Sequence, residues 1–356
     1  MASAIWNDNE KRWTLRVSVG GKIKKFTSVK KGIAGKKDVL RKMRAYMSGS
    51  EEARILVSDA WALFLQDIIK KNGKTDAWIN LEKYGRLYIL PRIGSLIVQN
   101  LTVLQLQDII NNARPVSDRI DQLSKKTLTN LRGAILQFVR FCIAAGWMDP
   151  LRGDLYVPKN APKKGKVILQ PDAIRRLFAG PADDWYINIF RFGCVTGLRT
   201  GEILGIKTTD IRDGVLTISR SINHRNEITE GKNENARRQI YLNEIARRII
   251  EENIQRNKCY KTEWIFCNKA GGFLTQSTLR NNWMRLAKER NLPGSPYSLR
   301  HTFISLMQCE MSPAMLRQIV GHSALTDTVG IYGHQVDGQI KQAAKIIDVN
   351  FRKIVE

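Results

Sequence analysis

The sequence predicts a multidomain protein, mainly α-helical with small β-sheets. Three observations carry that reading. Near the N-terminus apolar residues alternate with polar ones at a period of two, the mark of a half-buried strand. Through the middle of the chain they recur at i, i+3, i+4 and i+7, the mark of amphipathic helices. Beyond residue 167 helical stripes are interleaved with short alternating runs. At 356 residues the chain has room for two or three domains, and its 43% hydrophobic content suits a packed core.

Ile5-Trp6, before Asn7-Asp8-Asn9, reads as a short strand. Trp13, Leu15, Val17 and Val19 alternate with Thr14, Arg16 and Ser18 as a second strand. Gly20-Gly21 then makes a tight turn and Lys22 to Phe26 the return strand. Lys36 to Met47 reads as a helix with Val39, Met43 and Met47 on one face, so residues 1–50 are expected to form a three-stranded sheet backed by one helix. Residues 48–54 read as a linker.

Ser58 is expected to cap a helix carrying Trp61, Phe64, Leu65 and Ile68 on one stripe. Residues 76–90 and 102–112 read as shorter helices. Ser124 is expected to cap a longer one, with Leu128, Leu131, Ile135, Phe138 and Cys142 aligned, ending near Gly146. Together these make a four-helix unit over roughly 53–150. Residues 158–166 combine Pro, Gly and four Lys into an exposed, basic linker.

The C-terminal part reads as mixed α+β. Helices are expected from Gln170-Pro171-Asp172 to about Ala179 and over 184–195. Three short strands follow, Val215 to Arg220, Asn226 to Thr229 and Arg237 to Leu242. Further helices are expected near 243–257, 276–290, 299–310, 313–320 and 337–348. The last carries an apolar stripe, Ile340, Ala343, Ala344 and Ile347, expected to dock on a neighbouring protomer, with packing at home as the alternative.

Composition narrows the function. The formal net charge is +25, and self-repulsion at that level points to a polyanionic partner, most often nucleic acid. Residues 1–50 hold thirteen Lys and Arg against three Asp and Glu, so ten of those charges sit there. Arg12, Arg16, Lys22, Lys24 and Lys25 fall on the predicted strands, where a β-ribbon in a DNA groove would place them against phosphates; a solvated edge protected by Lys is the plainer reading. Lys163, Lys164 and Arg237 are further candidate DNA contacts. The five cysteines form no CxxC pair, which argues against a disulfide frame or a thiolate zinc site and for a reducing cytoplasm. No secretory signal is visible at the N-terminus. No apolar run reaches bilayer length, and Ile187 to Leu198 is interrupted by Arg191.

The C-terminal half carries a set of phosphate-handling residues: Arg199 in TGLRTGE, Lys232 in EGKNENARRQI, Arg300 in YSLRHT, and His322 and Tyr332 in GHSALTDTVGIYGH. Arginine's planar fork takes two phosphate oxygens at once and stays charged. Two such forks offset the charge that builds in a pentacoordinate transition state. Glu202, at i+3, shares a helix face with Arg199 and is expected to hold its guanidinium. Lys232, in a turn between two predicted strands, has the reach to protonate a departing 5′-oxygen. Tyr332 has a phenol able to attack phosphorus, and its free pKa of ~10 falls when cations surround it. Such a set breaks and rejoins DNA with no metal, ATP or other cofactor, because the phosphotyrosine link conserves the bond energy.

TGLRTGEIL, PYSLRHTF and GHSALTDTVGIYGH, with EGKNENARRQI between the first two, resemble the C-terminal boxes of the tyrosine recombinase family, in its phage-type or integrative-element integrase branch. The resemblance extends over nearly the whole chain. It implies an arm-type DNA-binding domain at 1–50, a helical core-binding domain at 53–158 and a catalytic domain at 167–356. It implies Arg199 and Arg300 as the phosphate clamp, Lys232 as general acid, His322 as a second phosphate donor and Tyr332 as nucleophile. Glu202 matches the acid that supports the first arginine, and His301 a supporting histidine. The family usually places a histidine three residues before the second arginine; here that position is Tyr297, a poor proton shuttle near neutral pH and the rival nucleophile.

The implied activity is site-specific recombination through a 3′-phosphotyrosine intermediate and a Holliday junction, integrating and excising a mobile element. The implied assembly is a homotetramer on double-stranded DNA with core-type and arm-type sites. An excision factor and a host DNA-bending protein are expected as further partners, no membrane is, and the location is the nucleoid in a bacterial cytoplasm. The alternatives are a type IB topoisomerase-like relaxing enzyme and an inactive DNA-binding regulator.

Overall fold

The computed structural model describes residues 4–19, 22–47, 55–117, 121–163, 165–180, 184–230, 237–321 and 339–355. The chain divides into two compact units, Met1–Lys164 and Gly165–Glu356.

The first unit opens with a three-stranded antiparallel sheet in the order β1 (Ile5–Asn7), β2 (Arg12–Val19), β3 (Lys22–Ser28), with helix α1 (Gly32–Met47) on one face. The alternation sorts its side chains as the sequence suggested. Leu15 and Phe26 are register partners and pack with Val39 of α1 in a small core. The same register splits the strand cations. Arg16 pairs with Lys25 on the open face, whereas Lys24 pairs with Val17 on the helix-backed side. The five residues therefore do not form one basic surface. The turn at Gly20-Gly21 and the side chain of Lys22 lie outside the described residues. Helix α1 also begins at Gly32, earlier than the expected Lys36.

A separate helical core follows, built by α2 (Val57–Asn72), α3 (Asp76–Tyr84), α4 (Leu90–Ile93), α5 (Val103–Asn111) and α6 (Lys125–Ala144). Helix α3 runs on through a π turn, Gly85–Ile89, into α4. Trp61, Phe64 and Phe138 meet at its centre, with ring centroids 5.0–5.9 Å apart. Ser124 caps α6 by accepting from Thr127 N, and Leu128, Leu131, Ile135, Phe138 and Cys142 are all buried. Ser58 does not cap α2, which begins at Val57 with Leu56 in the capping position. The first-turn amides find backbone partners instead: Val57 N donates to Leu96 O and Ser58 N to Gly94 O. Nor is residue 158 the start of a free tether. Leu155 belongs to the helical core, and Pro162 O accepts from Lys125 N at the head of α6. The 48–54 linker lies outside the described residues.

The second unit is mixed α+β around a large apolar core. Its elements are α7 (Pro171–Phe178), α8 (Ile187–Thr196), α9 (Thr200–Leu204), strands β4 (Ile211–Arg212), β5 (Val215–Ile218), β6 (Arg220–Ile222), β7 (Ile228–Glu230) and β8 (Arg238–Tyr241), then α10 (Glu244–Asn257), α11 (Gln276–Glu289), α12 (Pro296–Met307), α13 (Pro313–Val320) and α14 (Gln339–Val355). Where three strands were expected, five among the described residues form two small antiparallel sheets, β4-β5-β8 and β6-β7. The expected 215–220 strand is broken at Ser219, because its two halves pair with different partners. Helix α12 starts at Pro296 rather than 299, with Ser295 N donating to Ser298 Oγ (3.0 Å) and Pro at the position where a missing N–H costs nothing. Helix α14 is longer than expected. Ala343, Ala344, Ile347 and Phe351 are buried within this unit, and α14 packs on α7, β8 and α10. The stripe expected to reach a neighbour is thus covered at home; the side chain of Ile340 is outside the described residues. No described helix is long and apolar enough to cross a membrane.

Candidate active site

The site begins where α8 stops. Gly197 closes that helix in the left-handed region, φ 64°, and a Cβ there would fall 2.3 Å from the Phe303 ring. The reversal leaves Arg199 extended at the N-cap of α9, three residues before Glu202. Arg199 N donates to Glu202 Oε2 (2.9 Å) and Arg199 Nη1 to Oε1 (2.7 Å). The i, i+3 brace expected from the sequence is therefore present.

Glu202 has a second partner that sequence reading missed. Arg238, at the head of β8, donates Nη1 to Oε1 (3.0 Å) and Nη2 to Oε2 (2.9 Å). One signal was available: Arg238 shares strand parity with the buried Ile240, an inward position where an arginine needs a partner.

The other anchor is the C-terminal end of α13. The last carbonyls of a helix lack intrahelical partners and carry the negative end of its dipole. Here three consecutive ones each accept from a different arginine. Ile319 O takes Arg238 Nε (2.8 Å), Val320 O takes Arg300 Nη2 (2.7 Å) and Gly321 O takes Arg199 Nη2 (2.6 Å). Arg300 Nη1 also donates to Gly197 O at 2.9 Å, tying the α8 reversal to the same cluster. Gly321 is left-handed at φ 68°, and a Cβ on it would lie 2.6 Å from Arg238 Nη1.

Three guanidiniums and one carboxylate leave this cluster with two positive charges in excess. Arg300 is only 2% exposed and Glu202 is buried, while the Arg199 side chain keeps 38% of its surface open. Burial first, and then the neighbouring Arg199, pull the Arg300 pKa down to about 10. Burial alone would push the Glu202 carboxyl up, but Arg238 and the hydrogen bonds from Arg199 outweigh it and hold the group below the usual 4.5. Arg300 Nε is buried without a hydrogen-bond partner. A cationic cluster so poorly neutralised is a site for an anion.

Tyr297 and His301 lie one turn apart on α12, flanking Arg300, with their rings edge to face at 4.9 Å. Tyr297 is 44% exposed. Burial, Lys166 and Arg300 lower the His301 pKa, so its imidazole is neutral at pH 7. Arg199, Glu202 and Arg300 are thus brought together, with Tyr297 and His301 beside them. Lys232, His322, Tyr332 and Lys164 lie outside the described residues. Arg16, Lys25, Lys163 and Arg237 are exposed and Arg12 is half-buried; Lys25 Nζ is 3.0 Å from both carboxylate oxygens of Glu10, which offsets one of the open-face charges.

The Glu202 pairing has a pH signature. A carboxylate with a lowered folded pKa adds stability that is complete above its unfolded value and is lost as pH falls through the folded one. Replacing Glu202 with Gln strands the buried Arg238 and is expected to cost about 3 kcal/mol at neutral pH. The difference from the wild type should shrink as pH falls below 4.5. Urea unfolding of both proteins at pH 7, 5 and 3 measures it; a gap that is constant with pH refutes the pairing as an ionic one.

Residues 168–338 match the phage integrase family. A tyrosine recombinase XerC-like protein of Caldanaerobacter subterraneus subsp. tengcongensis is 21% identical over 366 residues, spanning 88% of this chain and 89% of the relative. Tyrosine recombinase XerH of Helicobacter pylori is 27% identical over 166 residues, 44% of this chain and 42% of that one. Among solved structures, the Tn1549 transposon integrase in complex with transposon right end DNA superposes with a TM-score of 0.65 at 21% identity, covering 82% of this chain and 99% of the other. The lambda integrase tetramer bound to a Holliday junction gives 0.60 at 15% identity, covering 94% and 98%. At these identities the two likenesses speak for the multidomain fold.

Proposed function

We propose, from a domain at 168–338 that belongs to the phage integrase family of tyrosine recombinases, that this protein is a site-specific DNA integrase that cuts and rejoins strands through a tyrosine. The observation that carries the proposal is the under-neutralised cluster of Arg199, Arg238 and Arg300 around Glu202. It offers buried, preorganised positive charge where a scissile phosphate gains negative charge.

In this reading Arg199 and Arg300 hold the non-bridging oxygens. Tyr332 gives its phenolic proton to solvent as the surrounding cations favour the phenolate, its oxygen attacks phosphorus, the bond to the 5′-oxygen breaks, and Lys232 supplies the proton that this oxygen takes. The strand is left as a 3′-phosphotyrosine and a free 5′-hydroxyl. Attack by a 5′-hydroxyl from the second duplex reverses the step, returns the proton and frees the tyrosine. His322 donates to the phosphate, and Tyr297 borders the site without shuttling protons. Exchange of two strand pairs in turn passes through a Holliday junction, in a tetramer that integrates or excises a mobile element. Residues 1–50 serve as the arm-binding domain through Arg12, Arg16 and Lys25, residues 53–158 grip the core site, and residues 167–356 carry the chemistry. Lys163, Lys164 and Arg237 add backbone contacts. An excision factor, a host DNA-bending protein and residence on the nucleoid belong to the same proposal.

A nicked duplex that lets the cleaved end diffuse away traps the covalent adduct and tests this directly. Adducts are expected at few sequences, those of the element's own attachment site. Adducts on many sequences would mean a relaxing enzyme, and none a regulator. A chain lacking 1–50 is expected to cleave the core site and to lose only the second DNA contact; loss of all cleavage would refute the proposed division of labour.

A further inference from the structure

We infer that Arg238 is a positioning residue of this site, which locks Glu202 and the end of α13 into the one arrangement that presents Arg199 to phosphate. The inference rests on the recombinase reading above and adds to it a residue outside the expected set.

Arg238 has every nitrogen engaged. Nη1 and Nη2 take both oxygens of Glu202, and Nε takes Ile319 O. Its side chain is 7% exposed and its fork is already taken by the Glu202 carboxylate, so it offers no bidentate face to a phosphate. What it touches is what holds Arg199. Glu202 Oε1 is shared between Arg238 Nη1 and Arg199 Nη1, and Oε2 between Arg238 Nη2 and Arg199 N. The other hold on Arg199 is Gly321 O, two residues beyond the Ile319 carbonyl that Arg238 grips. Both supports of Arg199 therefore run through one guanidinium.

A planar fork is needed for this. Arginine bridges a carboxylate and a carbonyl at fixed angles, whereas a lysine ammonium is a point charge on a flexible stem. Arg238→Lys keeps the charge and loses the geometry; Arg238→Met removes both. Misplacing a phosphate donor by about 1 Å costs on the order of a hundredfold in rate.

The test is single-turnover cleavage of the nicked substrate at saturating DNA, with DNA affinity and thermal unfolding measured on the same preparations. Arg238→Met is expected to lower the cleavage rate of folded protein about a hundredfold, and Arg238→Lys about tenfold, with affinity changed less than about threefold. Combining Arg238→Met with Glu202→Gln should cost less than the two effects multiplied, since both remove one link. If Arg238→Met does not fold, Arg238→Lys decides. Wild-type cleavage in either folded variant, or a loss of affinity equal to the loss of rate, overturns the inference. If the wild-type chain itself forms no adduct, the recombinase reading fails instead. Arg238 is then judged by NMR of the Arg199 guanidinium: its protons exchange with water faster in Arg238→Lys if the grip exists, and at the wild-type rate if it does not.

Discussion

Tyr332→Phe is expected to abolish the covalent protein–DNA adduct while leaving DNA binding intact. The substitution removes one oxygen and keeps the ring, so shape and charge at the site change little. Without a nucleophile the remaining clamp can still bind phosphate, as any set of cationic donors does. Losing an attacking group from a concerted set costs about 10⁴-fold or more, because the others have nothing to assist. The assay is denaturing electrophoresis of labelled nicked DNA beside a filter-binding isotherm. Tyr297→Phe is the matched control: Tyr297 is exposed on α12, one turn before Arg300, and presents the other phenol near the clamp. It packs against His301, and its removal should leave the adduct in place. Adducts that persist in Tyr332→Phe and vanish in Tyr297→Phe would reverse the assignment. Loss of binding in Tyr332→Phe would mean that the phenol, too, serves as a structural contact.

What was legible in the sequence follows the reach of local geometry. Arg199 and Glu202 were paired correctly because three residues on a helix turn fix their distance, whatever the rest of the chain does. The α6 stripe and its Ser124 cap were readable for the same reason. Arg238 was not, since its partner lies 36 positions away and is reached only after β8 has taken its place beside β5. The Ile319, Val320 and Gly321 carbonyls were invisible too. A backbone acceptor has no side-chain signature, so only the fold reveals which donors converge on a helix end. Ser58 is no cap because the helix already begins at Val57, whose amide and that of Ser58 pair with Leu96 O and Gly94 O, which leaves Ser58 inside the first turn. The α14 stripe announced burial but not its cover: periodicity defines an apolar face, and α7, β8 and α10 complete it within this unit. The tyrosine, the lysine and the second histidine rest on their place in the motifs, which the 168–338 family match spans.

Arg300→Met is expected to lower cleavage about a thousandfold while changing folding stability by only about 1 kcal/mol. The two effects separate because Arg300 is held against its own electrostatics. Its hydrogen bonds to Gly197 O and Val320 O are buried, and stranding those carbonyls costs about 2 kcal/mol. Yet burial and Arg199 draw its pKa from 12.5 to about 10, so keeping that charge inside costs the folded protein stability, which opposes the gain from those hydrogen bonds. Methionine fills a similar volume and relieves the repulsion as it forfeits the hydrogen bonds, so the terms nearly cancel. The rate has no such compensation. A guanidinium with two free η hydrogens and an unpartnered Nε is a donor set awaiting an anion, and its charge is worth most when phosphate becomes pentacoordinate. Phosphate binding should also relieve the wild-type repulsion, so inorganic phosphate is expected to raise the melting temperature of the wild type more than that of Arg300→Met. Calorimetry with and without phosphate, beside single-turnover cleavage, reads both quantities. A variant that loses stability in proportion to its rate would make Arg300 a structural residue, and one that cleaves within about tenfold of wild type would remove it from the clamp.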